Sequence, residues 1–73
     1  MTQSHSKDLH IGRCLRIAQA KFDVKSADLA RALNTVPQQV VRWRATESMR
    51  VHTLKSITDH FGITIDEFLR LGD

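Results

Sequence analysis

The stretch Val36-Pro37-Gln38-Gln39-Val40-Val41-Arg42-Trp43 reads as a short helix with two opposed faces. At about 100° per residue, Val36, Val40 and Trp43 fall on one side while Gln38 and Arg42 point almost directly away. The first side asks for a hydrophobic core. The second places an amide and a guanidinium four residues apart, the groups that make bidentate hydrogen bonds to adenine and guanine edges in a major groove. Gln39 sits toward the edge of that outward face. Val41 is an exposed β-branched residue on its flank, suited to a thymine methyl. Pro37 fits a first helical position, where its fixed φ is right and its missing N–H is no loss.

Working outward, Asn34 stands just before this helix, where the chain must reverse. Asn tolerates the left-handed conformation better than any residue but Gly, so it can close a preceding helix. That helix is Ser26-Ala27-Asp28-Leu29-Ala30-Arg31-Ala32-Leu33, with Leu29, Ala30 and Leu33 on its apolar side. Lys25 or Ser26 begins it, Ser26 being the better capping residue. Ala30 is small because two helices joined by a short turn approach closely near their crossing. Helix, turn and two-faced helix over about residues 26–44 form a helix-turn-helix arrangement.

The flanks supply the rest of an all-α core. Upstream, Ile11, Leu15, Ala18 and Phe22 recur at helical spacing, predicting a helix over Leu9 to Lys21 that Cys14 joins as a small buried group. Arg13, Arg16 and Lys21 lie off that stripe. Downstream, after an irregular connection from Ala45 to Met49, Val51, Leu54, Ile57, Thr58 and Phe61 predict a fourth helix stopped by Gly62. Thr64-Ile65-Asp66-Glu67 is a capping box opening a fifth helix, Ile65 to Leu71, with Ile65, Phe68, Leu69 and Leu71 as its apolar residues. The sequence holds no convincing strand and no internal repeat. The expected architecture is a compact five-helix domain over residues 9–73, preceded by a flexible polar segment over residues 1–8.

Composition narrows the function. Of 73 residues, 41% are hydrophobic and 26% charged, with no apolar run long enough to span a membrane and no signal-peptide pattern at Met1 to Lys7. One cysteine, Cys14, makes no internal disulfide, so a cytoplasmic setting is expected. The net charge of +3 is unevenly placed. Residues 1–50 hold nine Lys/Arg against four Asp/Glu, whereas residues 51–73 hold two against four. A basic first part suits a polyanion. His10 and Cys14 lie four apart, but two ligands without a CxxC or HExxH spacing do not make a zinc site. No Ser/His/Asp set, glycine-rich phosphate loop or paired carboxylate appears, so neither catalysis, a cofactor nor a small-molecule substrate is expected.

With these residues placed, the chain resembles the Cro/CI-type (XRE) helix-turn-helix family of phage and bacterial repressors, over roughly Ile11 to Leu71. The resemblance is carried by Leu15, Leu29-Ala30, Leu33, Pro37-Gln38, Val40, Arg42-Trp43, Thr53-Leu54, Ile57 and the run Phe61-Gly62-Ile63-Thr64-Ile65-Asp66-Glu67. It implies a lambda-repressor-like fold in which Gln38, Gln39 and Arg42, flanked by Val41, face base edges of double-stranded DNA. It also implies that Lys25 and Ser26, at the start of the second helix, hold phosphates. A homodimer on a near-palindromic operator is then expected, with Phe68, Leu69 and Leu71 as candidate contacts unless the core claims them. The alternative is a protein-interaction module that keeps the fold without DNA.

Four departures from the family pattern matter. Asn34 replaces the usual turn glycine. Val36 occupies the usual Ser or Thr cap position, forfeiting an acceptor typically worth ~1 kcal/mol unless Thr35 supplies it. Thr46 and Met49 stand where Gly and Pro are common. Finally, the family's Arg in the first helix and Glu after the Trp position become Gln19 and Arg44. That exchange leaves Arg44 free, on this reading, to meet a phosphate.

Overall fold

The computed structural model describes residues 10–72; the expected flexible segment at residues 1–8 lies outside them. Five helices follow in order: α1 (Ile11–Phe22), α2 (Ser26–Ala32), α3 (Pro37–Arg44), α4 (Val51–Phe61) and α5 (Ile65–Arg70). The all-α, five-helix architecture expected from the pattern is the one observed, with no strand among the described residues.

α1 starts two residues later than expected because His10 caps it. The imidazole Nδ1 accepts from the Arg13 backbone N–H at 3.2 Å. The helix ends at Asp23, which takes the left-handed conformation (φ 55°), and the Val24 N–H closes back on the Gln19 carbonyl at 2.9 Å. Asn34 is likewise left-handed (φ 58°), so the reversal between α2 and α3 is made as its side chain suggested. Gly62 (φ 75°) stops α4.

The core consists of Ile11, Cys14, Leu15 and Ala18 from α1, Leu29 and Ala30 from α2, Val40 from α3, Leu54 and Ile57 from α4, and Phe68 from α5. α3 packs on α2 and α1, while α5 packs on α1 and α4. Each helix therefore buries its stripe against at least one other helix, the arrangement that lets so short a chain assemble a core. At the far end Phe22 and Phe61 meet with ring centroids 5.6 Å apart, joining the last turns of α1 and α4.

Three valine and phenylalanine assignments need correction. Val36 was expected on the core face of α3 but is 55% exposed, because it is the N-cap, extended at φ −111°, and its side chain does not follow the helical direction. Val51 is 71% exposed at the first position of α4, so the buried stripe of that helix begins at Leu54. Phe68, a candidate dimer contact, is wholly buried; a core of this size needs its largest side chain inside. Leu69 and Leu71 are half-buried against the same core.

The caps divide into side-chain and backbone solutions. The Thr64–Glu67 box forms: the Glu67 N–H donates to Thr64 Oγ1 at 3.0 Å, and the Thr64 N–H donates to Glu67 Oε1 at 2.9 Å. The hydrogen bonds from Thr64, backbone first and side chain second, hold the Glu67 carboxyl below its ordinary value. α3 has no side-chain cap, and Thr35 does not provide one; its N–H instead bonds the Ala30 carbonyl at 2.8 Å. α2 is capped by Lys25 without a side-chain bond, so Ser26 is its first residue rather than its cap.

The connection between α3 and α4 manages without glycine or proline because Thr46 folds it, its hydroxyl donating to the Ser48 carbonyl at 2.7 Å. It then serves α1. The Gly12 N–H donates to the Thr46 carbonyl at 2.9 Å and the Ile11 N–H to the Glu47 carbonyl at 3.3 Å, so two donors of the first turn of α1 are satisfied from 34 to 36 residues away in sequence. No helix among the described residues is long and apolar enough to cross a membrane.

Candidate nucleic-acid interface

α3 is held from one side and open on the other. Val40 is sealed in the core and Trp43 packs partly buried against it. Gln38, Val41 and Arg42 are exposed. Among the described residues no ion pair engages Arg42, and no hydrogen bond is made by the side chains of Gln38 or Arg42. Their donors and acceptors therefore face solvent in the i, i+4 relation that lets two side chains act side by side. Ala30 of α2 is buried in the core, and α2 packs against α3; a small residue suits the close approach of two helices joined by a short turn.

Gln39 differs from its neighbours. It is half-buried and lies along an open groove of about 700 Å³ between the α2–α3 turn, α3 and α4, beside Trp43, His52, Ser56 and His60.

The structure places Ser26 and Arg44 around one buried amide. Gln19, 5% exposed on α1, uses its Nε2 to donate to the Val24 carbonyl at 3.1 Å and to Ser26 Oγ at 3.2 Å. Its Oε1 accepts from Arg44 Nη1 at 2.6 Å. Arg44 is thus not free, which corrects the expectation drawn from the exchanged pair. The exchange removed the carboxylate but kept a donor and an acceptor, and the bond survives as a charge-assisted one to a neutral oxygen. A guanidinium has five N–H donors, so most of those on Arg44 remain uncommitted to Gln19. Lys25 is exposed immediately before α2, and Ser26 is half-buried with its hydroxyl proton still able to donate.

Gln19 is the residue that sequence reasoning passed over as a mere vacated partner. A signal was present: it lies four residues after Leu15 and one after Ala18, so a polar amide sits on the apolar stripe of α1. Such a group is kept inside only when its hydrogen bonds are met, and here both of its ends are. Arg31 pairs with Asp28 at 3.3 Å on the exposed side of α2; an exposed pair like this adds little stability. Arg42 and Arg44 lie in the last turn of α3, where cations suit the negative end of the helix.

Comparison with known proteins places the same segment in context. The family model for the Cro/C1-type HTH DNA-binding domain matches residues 15–73, from within α1 through α5. Searches of curated proteins and of solved structures return no significant match.

Proposed function

The chain belongs to the Cro/C1-type helix-turn-helix DNA-binding domain family, and from that premise we propose that it is a sequence-specific transcriptional regulator that works as a repressor by occupying its operator. The observation that carries the reading is the free outward pair on α3, Gln38 and Arg42, on a helix whose opposite side is anchored by Val40 and Trp43. In the major groove Arg42 reads a guanine and Gln38 an adenine through paired hydrogen bonds, with Val41 against a thymine methyl. Gln39 contributes at the edge, its half-burial limiting its reach. Lys25, Ser26 and Arg44 hold phosphates on either side and so fix the register of α3 on the duplex.

One module of this size covers too little DNA for tight specific binding, so the working unit is a homodimer. Its two reading helices enter successive major grooves about 34 Å apart on a near-palindromic site. Phe68 belongs to the core, which leaves the half-buried Leu69 and Leu71 as the apolar candidates for the subunit contact. With DNA as its target, the protein acts in the bacterial cytoplasm or that of a phage-infected host.

Titration of the whole chain against a random-sequence duplex at rising salt tests the polyanion partner first. Two cationic phosphate contacts per subunit, Lys25 and Arg44, give about four per dimer, which predicts a loss of roughly 10² in affinity between about 50 and 200 mM salt. Absence of binding at low salt would instead assign the fold to a protein-interaction role.

A further inference from the structure

We infer that Gln19 is a positioning residue for DNA binding, one that fixes Arg44 beside Ser26 while leaving the guanidinium charge uncancelled. The inference rests on the DNA-binding reading and adds the electrostatic reason for an amide at this place. The orientation of that amide is determined by its partners. A guanidinium only donates and a backbone carbonyl only accepts, so Oε1 must face Arg44 and the NH2 group must face Val24. The second N–H then reaches Ser26 Oγ, which ties the end of α3 to the beginning of α2 through one buried side chain.

A carboxylate at this position would hold Arg44 equally well, but it would cancel the cation and turn an acceptor against the Val24 carbonyl. The neutral amide does neither. None of the ion pairs among the described residues involves Arg44, so its charge stays available at the base of the reading helix. An arginine is charged at every accessible pH, and one additional neutralised phosphate steepens the dependence of log affinity on log salt by about 0.9. Gln19 thereby separates two roles that a salt bridge would merge, mechanical tie and charge compensation.

The test compares the full-length wild type, Gln19→Glu, Arg44→Gln and Gln19→Met on one random-sequence duplex over a salt series, with helix content and melting followed in parallel. Gln19→Glu is expected to stay folded while its affinity loss between roughly 50 and 200 mM salt becomes about 3.5-fold smaller per subunit. Arg44→Gln should show the same reduced slope. Gln19→Met keeps the charge and removes the tie, so its slope should match the wild type while its affinity falls at every salt concentration. A wild-type slope in Gln19→Glu, or wild-type affinity in Gln19→Met, overturns the inference. Should Gln19→Glu not fold, Arg44→Gln reads the charge and Gln19→Met the tie, and an unchanged result from either variant has the same force. Failure of the wild type itself to bind at low salt would mark a failure of the DNA-binding reading, visible before any variant is measured.

Discussion

Gly12→Ala is expected to lower the melting temperature by roughly 10–20 °C and to weaken DNA binding even where the variant stays folded. A Cβ at this position would collide with the Arg44 carbonyl oxygen and lie 2.6 Å from its carbon and 2.8 Å from the Thr46 carbonyl oxygen. All three are backbone atoms, so no side chain can rotate to make room. The first turn of α1 must back away from the end of α3, and the Gly12 and Ile11 N–H bonds to Thr46 and Glu47 are stretched with it. Overpacking of this kind costs about 1–3 kcal/mol, and disturbed buried hydrogen bonds add to it. Because the clash falls on the end of α3, the helix proposed to read bases, the substitution should act on recognition as well as on stability. Thermal denaturation followed by circular dichroism checks the first effect, with Arg13→Ala on the exposed face of α1 as a control that should shift little. A melting temperature unchanged in Gly12→Ala would show that the close approach of α1 to α3 is not maintained in solution.

Phe68→Ala is expected to leave most of the protein unfolded at 25 °C. Phe68 is the largest fully buried side chain and the sole fully buried residue of α5, the helix that closes the core over α1 and α4. Truncating such a ring costs about 3–5 kcal/mol, comparable to the lower end of the whole stability of a small domain. Leu71→Ser, in contrast, should leave a folded chain, since Leu71 is only half-buried. Sedimentation of that variant then reads the subunit contact separately from the fold: a folded monomer supports Leu71 at the dimer interface, and an unaltered dimer removes it. A well-folded Phe68→Ala protein would mean that α5 does not close the core as described.

Much of the fold was legible because the signals that set it are local. Pro37 fixed the start of α3, Asn34 the left-handed residue before it, and Thr64 with Glu67 a cap made within four residues. Each depends on side chains and dihedrals that a short stretch contains by itself. Helix periodicity found the core for the same reason, and it failed where it was extended past the helical interior. Val36 and Val51 match the angular pattern but sit at a cap and an opening turn, where burial depends on what lies across from them.

The unread parts of the site are contacts between distant residues. Nothing near Gly12 in sequence announces the carbonyls of Arg44 and Thr46 that exclude a Cβ. The exchange of charges at Gln19 and Arg44 was visible, yet charge counting predicted a released arginine where donor and acceptor counting predicts a retained bond. Of the two residues that could begin α2, serine is the better cap by propensity, yet Lys25 takes the cap position and the Ser26 hydroxyl accepts from Gln19. In each case the missing information is which element packs against which, and local propensity does not contain it.

The central claim, that the outward face of α3 reads bases, is tested most directly by selecting bound sites from random duplex DNA with the wild type and with Arg42→Ala. The wild type should return a near-palindromic consensus with a strong guanine preference at one position of each half-site. Arg42→Ala should lose that one preference, at about 1–3 kcal/mol per half-site, and keep the others. A consensus identical to that of the wild type, or a loss spread evenly over every position, would contradict base reading by Arg42.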